Sequence, residues 1–331
     1  MPLIDLHVDT ITALYSDPSD SSRDEFALTN FQDLRSNGLQ VDLDKLQQGQ
    51  VIAQFFVLWL NLRKCQQHQV KPWEHFLKLY RQLHTQVSLN SDAIAIATNW
   101  QEIQALTAAS KIAALIAIEE GGVITSISEL DQAYRLGVRY ITLVWNFETH
   151  IGVPAVVDQH RGLKPFGLEL VAAMQERKML IDVSHLSDQG VEDVLACTQD
   201  PIIASHSNAR VLCEHPRNLP DRLIRGIANT GGVIGVNCVP MFLAPQGRKI
   251  CGKLIAAHLW HIYQAAGEDV LAIGSDFDGF SSKSPDDDFS SIADLVQLAP
   301  YLQAVGFSAR QIDKIMYRNC QRVIKQVLSA S

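Results

Sequence analysis

Leu3-Ile4-Asp5-Leu6-His7-Val8-Asp9 alternates apolar residues with Asp5, His7 and Asp9. Residues two apart on a strand point to the same face. Read as a strand, the stretch predicts His7 and Asp9 projecting together, an imidazole and a carboxylate able to share one cation. Seven further runs rich in Val, Ile and Leu follow it: Val51–Leu60, Ile112–Ile118, Val138–Val144, Met179–Ser184, Pro201–Ser205, Val233–Asn237 and Val270–Gly274. Continuous apolar strands are what a parallel sheet covered on both faces requires.

Helix-like segments separate these runs. Trp73–Val87, Asn99–Ala109 and Ile127–Leu136 precede the third and fourth strands. Phe166–Arg177, Asp188–Cys197, Asp221–Ala228 and Gly252–Ala266 follow the fourth to the seventh, and Ile292–Val305 and Ser308–Val327 come last. Ser187 and Ser308 stand where an N-cap hydroxyl is wanted. Eight alternating strands over 331 residues predict an α/β fold, a (β/α)8 TIM barrel occupying 1–331 as one domain. A doubly wound open sheet is the competitor, but no GxGxxG follows the first strand, so a dinucleotide fold has no support. Polar stretches at Ser16–Thr29, Asn146–Lys164 and Phe277–Ser291 read as long loops, which in compact domains tend to be functional.

Hydrophobic residues make up 47 % and charged residues 19 % of the chain, normal for a globular protein with a sizeable core. A net charge of -8 argues against a nucleic-acid partner, which wants a basic patch. Met1-Pro2-Leu3-Ile4-Asp5 shows no basic leader, no apolar stretch is long enough for a membrane span, and Val327–Ser331 carries no hydrophobic tail. The expectation is a cytoplasmic protein without membrane attachment. Six cysteines lie scattered without CxxC-type spacing, which reads as reduced, mostly buried thiols rather than a structural zinc site.

The chemistry gathers where the strands end. His7 and Asp9 end the first, Glu119 and Glu120 the third, Asn146 the fourth, His185 the fifth, His206 the sixth, Asn237 the seventh and Asp276 the eighth. In a barrel these positions meet at the C-terminal mouth, where catalytic groups sit. A lone His after a strand is usually a satisfied polar group; several His and carboxylates converging from different strands are the composition of a zinc-type centre with carboxylate bridging.

Six segments occur in order: Asp5-Leu6-His7-Val8-Asp9, Glu119-Glu120-Gly121-Gly122, Ile181-Asp182-Val183-Ser184-His185, Ser205-His206-Ser207-Asn208-Ala209-Arg210, His215-Pro216-Arg217-Asn218-Leu219-Pro220 and Gly274-Ser275-Asp276-Phe277-Asp278-Gly279. Together they resemble the membrane dipeptidase (renal dipeptidase) family of binuclear zinc peptidases, over nearly the whole chain and most specifically from Gly162 to Gly279. The resemblance implies a barrel, two zinc ions and a dipeptide substrate, and is compatible with a homodimer. It assigns His7 and Asp9 to one zinc, His185 and His206 to the other, and a bridging glutamate between them. It gives Asp276 the proton transfers. Arg217 would grip the substrate's C-terminal carboxylate, the contact that makes a dipeptidase rather than an endopeptidase.

The bridging residue is open at this level. If Ala113, Leu115 and Ala117 face inward, the pleat also turns Glu119 into the site. The family's glutamate usually directly precedes the Gly pair, which favours Glu120. A second departure is Trp145, where many members carry a substrate-binding His; Asn146 or His150 would have to substitute. Asp5 and Asp182 read as supporting or buried structural groups, Asp278 as a turn residue and Arg210 as an ion-pair partner. The competing functions are another binuclear-metal barrel hydrolase acting on an amide, lactone or ester, and a non-catalytic ligand-binding barrel. The first lacks support because His-x-Asp replaces His-x-His and no Lys is placed as a carbamylated bridge; the second because every metal position and Asp276 are intact.

Overall fold

The computed structural model describes residues 1–15, 33–247, 249–280, 284 and 286–328. The Ser16–Thr29 loop lies outside these, as do Ser281, Ser282, Lys283 and Pro285 of the loop after the last strand.

The strands are β1 (Leu3–Val8), β2 (Val51–Trp59), β3 (Ile94–Ile96), β4 (Ile112–Glu119), β5 (Val138–Thr142), β6 (Leu180–Asp182), β7 (Ile203–Ala204), β8 (Val233–Val236) and β9 (Leu271–Ile273). They run in the order β2-β1-β9-β8-β7-β6-β5-β4-β3, and an additional β2–β4 pairing closes the ring. Every pairing is parallel. The closed barrel is thus the predicted eight strands. The predicted strand set lacked β3, which stands outside the ring. It pairs with the first part of β4 (Ile94↔Ile112, Ile96↔Ala114), and β5 takes over the same edge from Ile116↔Val138. Three residues between a helix and a turn give too short a run for periodicity to register.

The pleat sorts β4 cleanly. Ile112, Ala114, Ile116 and Ile118 pack outward with the helix-facing core. Ala113, Leu115 and Ala117 belong to a second cluster inside the barrel, with Ala53, Phe55 and Val57 of β2. Cys320, Val323, Ile324, Val327 and Leu328 join that inner cluster, so the helix Asn319–Val327 plugs the barrel floor. Burying each such aliphatic side chain contributes roughly 1.5–3 kcal/mol.

Asp188–Cys197 and Gly252–Ala266 have their predicted bounds. Ser187 Oγ accepts from Gly190 N, and Ser308 makes a reciprocal capping box with Gln311. Two predicted helices are interrupted. Ile292–Val305 begins as a 3-10 turn, Ile292–Gln297, before the α-helix Leu298–Ala304, which holds Pro300 in its first turn where a missing N–H is tolerated. Ser308–Val327 contains a π-helical turn at Lys314–Arg318. No helix among the described residues is long and apolar enough to cross a membrane. All six cysteines are free, none in a disulfide.

Candidate metal centre and active-site cleft

The strand ends deliver their side chains through unusual backbone. His185 follows β6 with φ +70, and Asp276 follows β9 with φ +62. Left-handed backbone at non-glycine residues costs on the order of 1–3 kcal/mol each and persists where the surroundings over-determine it. Asp9 differs from the simple expectation. The strand ends at Val8, and Asp9 is the N-cap residue of the helix Thr10–Leu14, so it meets His7 from that turn rather than across a shared pleat.

Three imidazoles and two carboxylates converge. His7 Nε2 lies 3.5 Å from Glu119 Oε2 and 3.6 Å from Asp9 Oδ2. His185 Nε2 lies 2.9 Å, and His206 Nε2 3.5 Å, from Glu119 Oε1. The two Nε2 atoms of His185 and His206 are 2.9 Å apart. Glu119 therefore turns one oxygen to each of two donor groups, His7 with Asp9 and His185 with His206. Glu120 does not join them. Its φ of +92 swings it aside, where one oxygen accepts from Gly122 N and burial pushes its carboxyl up to about 8.

The far nitrogen of each ring fixes the tautomer. Tyr140 OH donates to Leu6 O at 2.9 Å, so its oxygen accepts from His7 Nδ1 at 3.1 Å. Asn146 Oδ1, an acceptor, takes His185 Nδ1–H at 2.9 Å. Ser205 Oγ donates to Asp182 Oδ2 at 2.6 Å and accepts from His206 Nδ1 at 2.7 Å. All three rings then carry a proton on Nδ1 and turn Nε2 inward, the orientation a metal-ligating histidine needs. Burial works against charge on His7, but Glu119 and Asp9 outweigh it and hold its pKa well above the ordinary imidazole range, so a cation would displace a proton from its Nε2.

Residue chemistry fits a divalent cation. His7 Nε2 is buried with no hydrogen-bond partner. Burial pulls His185 down to about 3 and His206 well below the ordinary imidazole range, so both stay neutral. Burial disfavours the Glu119 carboxylate, but His7 and His185 outweigh it and hold the group well below the usual range. Nitrogen and oxygen donors without sulfur suit zinc and similar ions. His7, Asp182 and His206 form a third close group, but Asp182 has no oxygen to spare. Its Oδ1 accepts from Ser184 N and Ser205 N, and its Oδ2 from the Thr142 and Ser205 hydroxyls.

A cleft of about 410 Å³ opens above this centre. Asp9, Glu119, His185, Asp276, Arg217 and Asn146 line it, with an aromatic wall of Trp59 and Trp145. Asp276 is half-buried beside Asp9: a Cβ on Gly279 would collide with an oxygen of each carboxylate, so a larger residue there would push the pair aside. Burial, with Asp9 and Glu119 adding and His7 and Arg217 opposing, pushes Asp276 up to about 8. Arg217 is buried and its Nε has no partner, while Nη2 reaches His206 O at 3.4 Å.

His150 is not brought to this cleft. Its Nε2 bonds Ile124 O at 2.8 Å and its ring packs against Phe166, 5.3 Å between centroids, so it braces the long loop instead. Arg210 is an ion-pair residue: it grips Asp188 through two bonds of 2.7 and 2.9 Å. The same guanidinium donates to Asn218 O at 2.8 Å and Pro216 O at 3.3 Å, bracketing Arg217. Asp5 binds Ser275 N and Oγ, both at 2.7 Å, tying β1 to the end of β9. Asp278 accepts from Thr10 Oγ1 and Gln40 N, which shapes the loop beyond any Asp-Gly turn. Sequence reading missed Tyr140, Ser205 and Trp59. The usable signal at Tyr140 and Ser205 was a polar group inside or at the end of an apolar run, where it must find a partner.

A model of the membrane dipeptidase family, peptidase family M19, matches residues 1–331. The chain belongs to this family. A dipeptidase of Claviceps purpurea named tcpJ is 30% identical over 308 residues, 90% of this chain and 71% of that protein. A Schizosaccharomyces pombe protein described as an uncharacterized dipeptidase is 32% identical over 307 residues, 88% of this chain and 73% of that one. Among solved structures, a metallo peptidase from Rhodobacter sphaeroides liganded with a phosphinate mimic of L-Ala-D-Ala superposes with a TM-score of 0.83. It shares 21% identity, covering 99% of each chain, and thus the barrel. As an M19 member the chain is a peptide-bond hydrolase of the metallo-dipeptidase class.

Proposed function

We propose that the chain is a zinc-dependent dipeptidase acting on dipeptides with a free C-terminal carboxylate, including those ending in a D-residue. The observation that carries this is the convergence of three Nε2 atoms on the two oxygens of Glu119. His7, Asp9 and Glu119 would hold one Zn2+ ion, and Glu119, His185 and His206 the other. When bound, such ions acidify water at neutral pH and polarise the scissile carbonyl.

The remaining work falls to this chain's own groups. Asp276, in reach of Asp9 at the cleft wall, takes a proton on its carboxylate and returns it to the leaving amine. Arg217 offers its unpartnered Nε to the substrate's carboxylate, which would satisfy a buried donor otherwise left open. Asn146 acts through His185, since its Oδ1 holds that ring. The D-residue is carried over from the Rhodobacter structure, whose ligand mimics L-Ala-D-Ala.

The test is metal analysis of the purified protein and release of free amino acids from a panel of L-L and L-D dipeptides, for wild type and Asp276→Asn. Zinc with dipeptide cleavage that falls at least about a hundredfold in Asp276→Asn is expected. A zinc-loaded protein that cleaves no dipeptide, or an unimpaired mutant, refutes the reading.

A further inference from the structure

Aromatic side chains line the cleft at several points, among them Phe242 beside Arg217 and the Trp59–Trp145 pair, and the strand order says how Arg217 and that pair are disposed. In the ring β2-β1-β9-β8-β7-β6-β5-β4, closed by β2–β4, β2 lies four strands from β7 in either direction. Trp59 is the last residue of β2, and Arg217 sits in the segment after β7. The two therefore stand on opposite sides of the barrel mouth, and both line the cleft. Trp145, from the segment after β5, joins Trp59 on its side: their rings meet edge-on with centroids 4.9 Å apart. Glu119 starts from the strand beside Trp59 and reaches into the centre of the mouth, its carboxylate within 3.5 Å of His7, His185 and His206.

The aromatic side is rigid. Trp145 also meets Phe147 edge-on at 5.3 Å, and the Arg63 guanidinium lies 3.7 Å from the centre of the Phe147 ring. The ladder Trp59–Trp145–Phe147–Arg63 runs from the cleft outward, so the wall is held before any ligand arrives. Edge-to-face geometry of this kind leaves indole surface available to a further apolar group.

We propose that the Trp59–Trp145 wall is the specificity surface for the first residue of the substrate, and that dipeptides with a large apolar or aromatic N-terminal side chain are preferred. This rests on the dipeptidase reading and deepens it. A dipeptide anchored by its carboxylate at Arg217 extends across Glu119, which turns its N-terminal residue toward the opposite side of the mouth. There it meets two indoles, and Trp145 selects by surface contact rather than by hydrogen bonding.

Two matched substrate series test this on the zinc-loaded full-length protein: X-Gly and Gly-X, with X as Gly, Leu or Phe. The expected result is a kcat/KM preference of about tenfold or more for Phe-Gly over Gly-Gly, with a smaller spread in the Gly-X series. Trp145→Ala should reduce the Phe-Gly to Gly-Gly ratio by about tenfold, and Trp145→Phe should restore most of it. Trp145→Leu keeps much of the volume without the rings' stacking and gives the same readout if the Ala variant does not fold. A mutant that lowers both series alike, or only the Gly-X ratio, overturns the inference. Cleavage by wild type with no first-position preference overturns it while leaving the dipeptidase reading standing. A wild type that cleaves neither series overturns that reading and this inference with it.

Discussion

Asp182→Asn changes one atom and should move a proton two residues away. The carboxylate is buried, and its Oδ2 accepts from Thr142 Oγ1 and Ser205 Oγ, both at 2.6 Å. Because Ser205 donates there, it must accept from His206 Nδ1 at 2.7 Å. An asparagine can keep Oδ1 on the backbone N–H groups of Ser184 and Ser205, but its NH2 then faces the two hydroxyls. Ser205 becomes an acceptor from that amide and turns its own proton to His206 Nδ1. His206 must then carry its proton on Nε2, where a cation needs the lone pair. Removing such a supporting group typically costs 10–100-fold in metal affinity, or about 1.4–2.8 kcal/mol. Two charge-assisted hydrogen bonds are also weakened, offset in part by no longer burying a charge, for a net loss of about 1–3 kcal/mol in stability. Competition with a chromophoric chelator measures the zinc affinity, and denaturant unfolding of the metal-free protein measures the stability. Thr142→Val is the control: it removes a hydroxyl from the same oxygen without touching His206, so it should cost about 1 kcal/mol of stability and leave zinc affinity within about threefold. Wild-type zinc affinity in Asp182→Asn would refute the proton argument outright.

Three other outcomes are expected. Arg210→Met removes the bracket around Arg217 while Asp188 keeps Arg222, so KM for dipeptides should rise about tenfold with kcat little changed; steady-state kinetics showing the reverse split would sink the positioning role. His258, its pKa pulled by burial from 6.5 to about 4, accepts from Ala209 N and donates to Leu243 O. The unfolded chain binds this proton first, so stability is full above about pH 6.5 and falls by up to ~3 kcal/mol as pH drops toward 4. Burial pulls His75 down to about 4 as well, so His258→Gln should lessen rather than abolish the pH slope of urea-measured stability across that window, and an unchanged slope would show that His258 is not responsible. Chelation should lower the thermal midpoint, since a cation at a thousand times its Kd stabilises by about 4 kcal/mol; an unchanged melting curve would argue that the centre holds no metal under those conditions.

Much of this was legible in the chain because apolar runs and their polar ends recur in register with a barrel. The pleat of β4 pointed to Glu119, since Ala113, Leu115 and Ala117 face in and the isoleucines face out, but the Gly pair after Glu120 kept that residue open until the left-handed backbone at Glu120 was seen. The pairing of His7 with Asp9 was legible, but not its cause, because nothing in alternation says that the strand stops at Val8 and a helix begins. His150 shows the opposite limit: position in a long loop carries no information on which carbonyl will capture a side chain, and Ile124 O does. The partners that set the tautomers were invisible for a similar reason. Tyr140 bonds a backbone carbonyl 134 residues away, a contact with no local signature.

The floor plug has a consequence for how the molecule is made. The inner core is completed by Val323, Ile324, Val327 and Leu328, and the first strand of the chain, β1, pairs with the last, β9. On a ribosome the first strand waits for the last, and the barrel interior stays open to water until the helix Asn319–Val327 has emerged. Every shorter nascent chain exposes apolar strand faces and an unpaired edge, the features that draw chaperones and aggregation alike. Chains cut before Asn319 should therefore be recovered as insoluble material rather than as a smaller working enzyme.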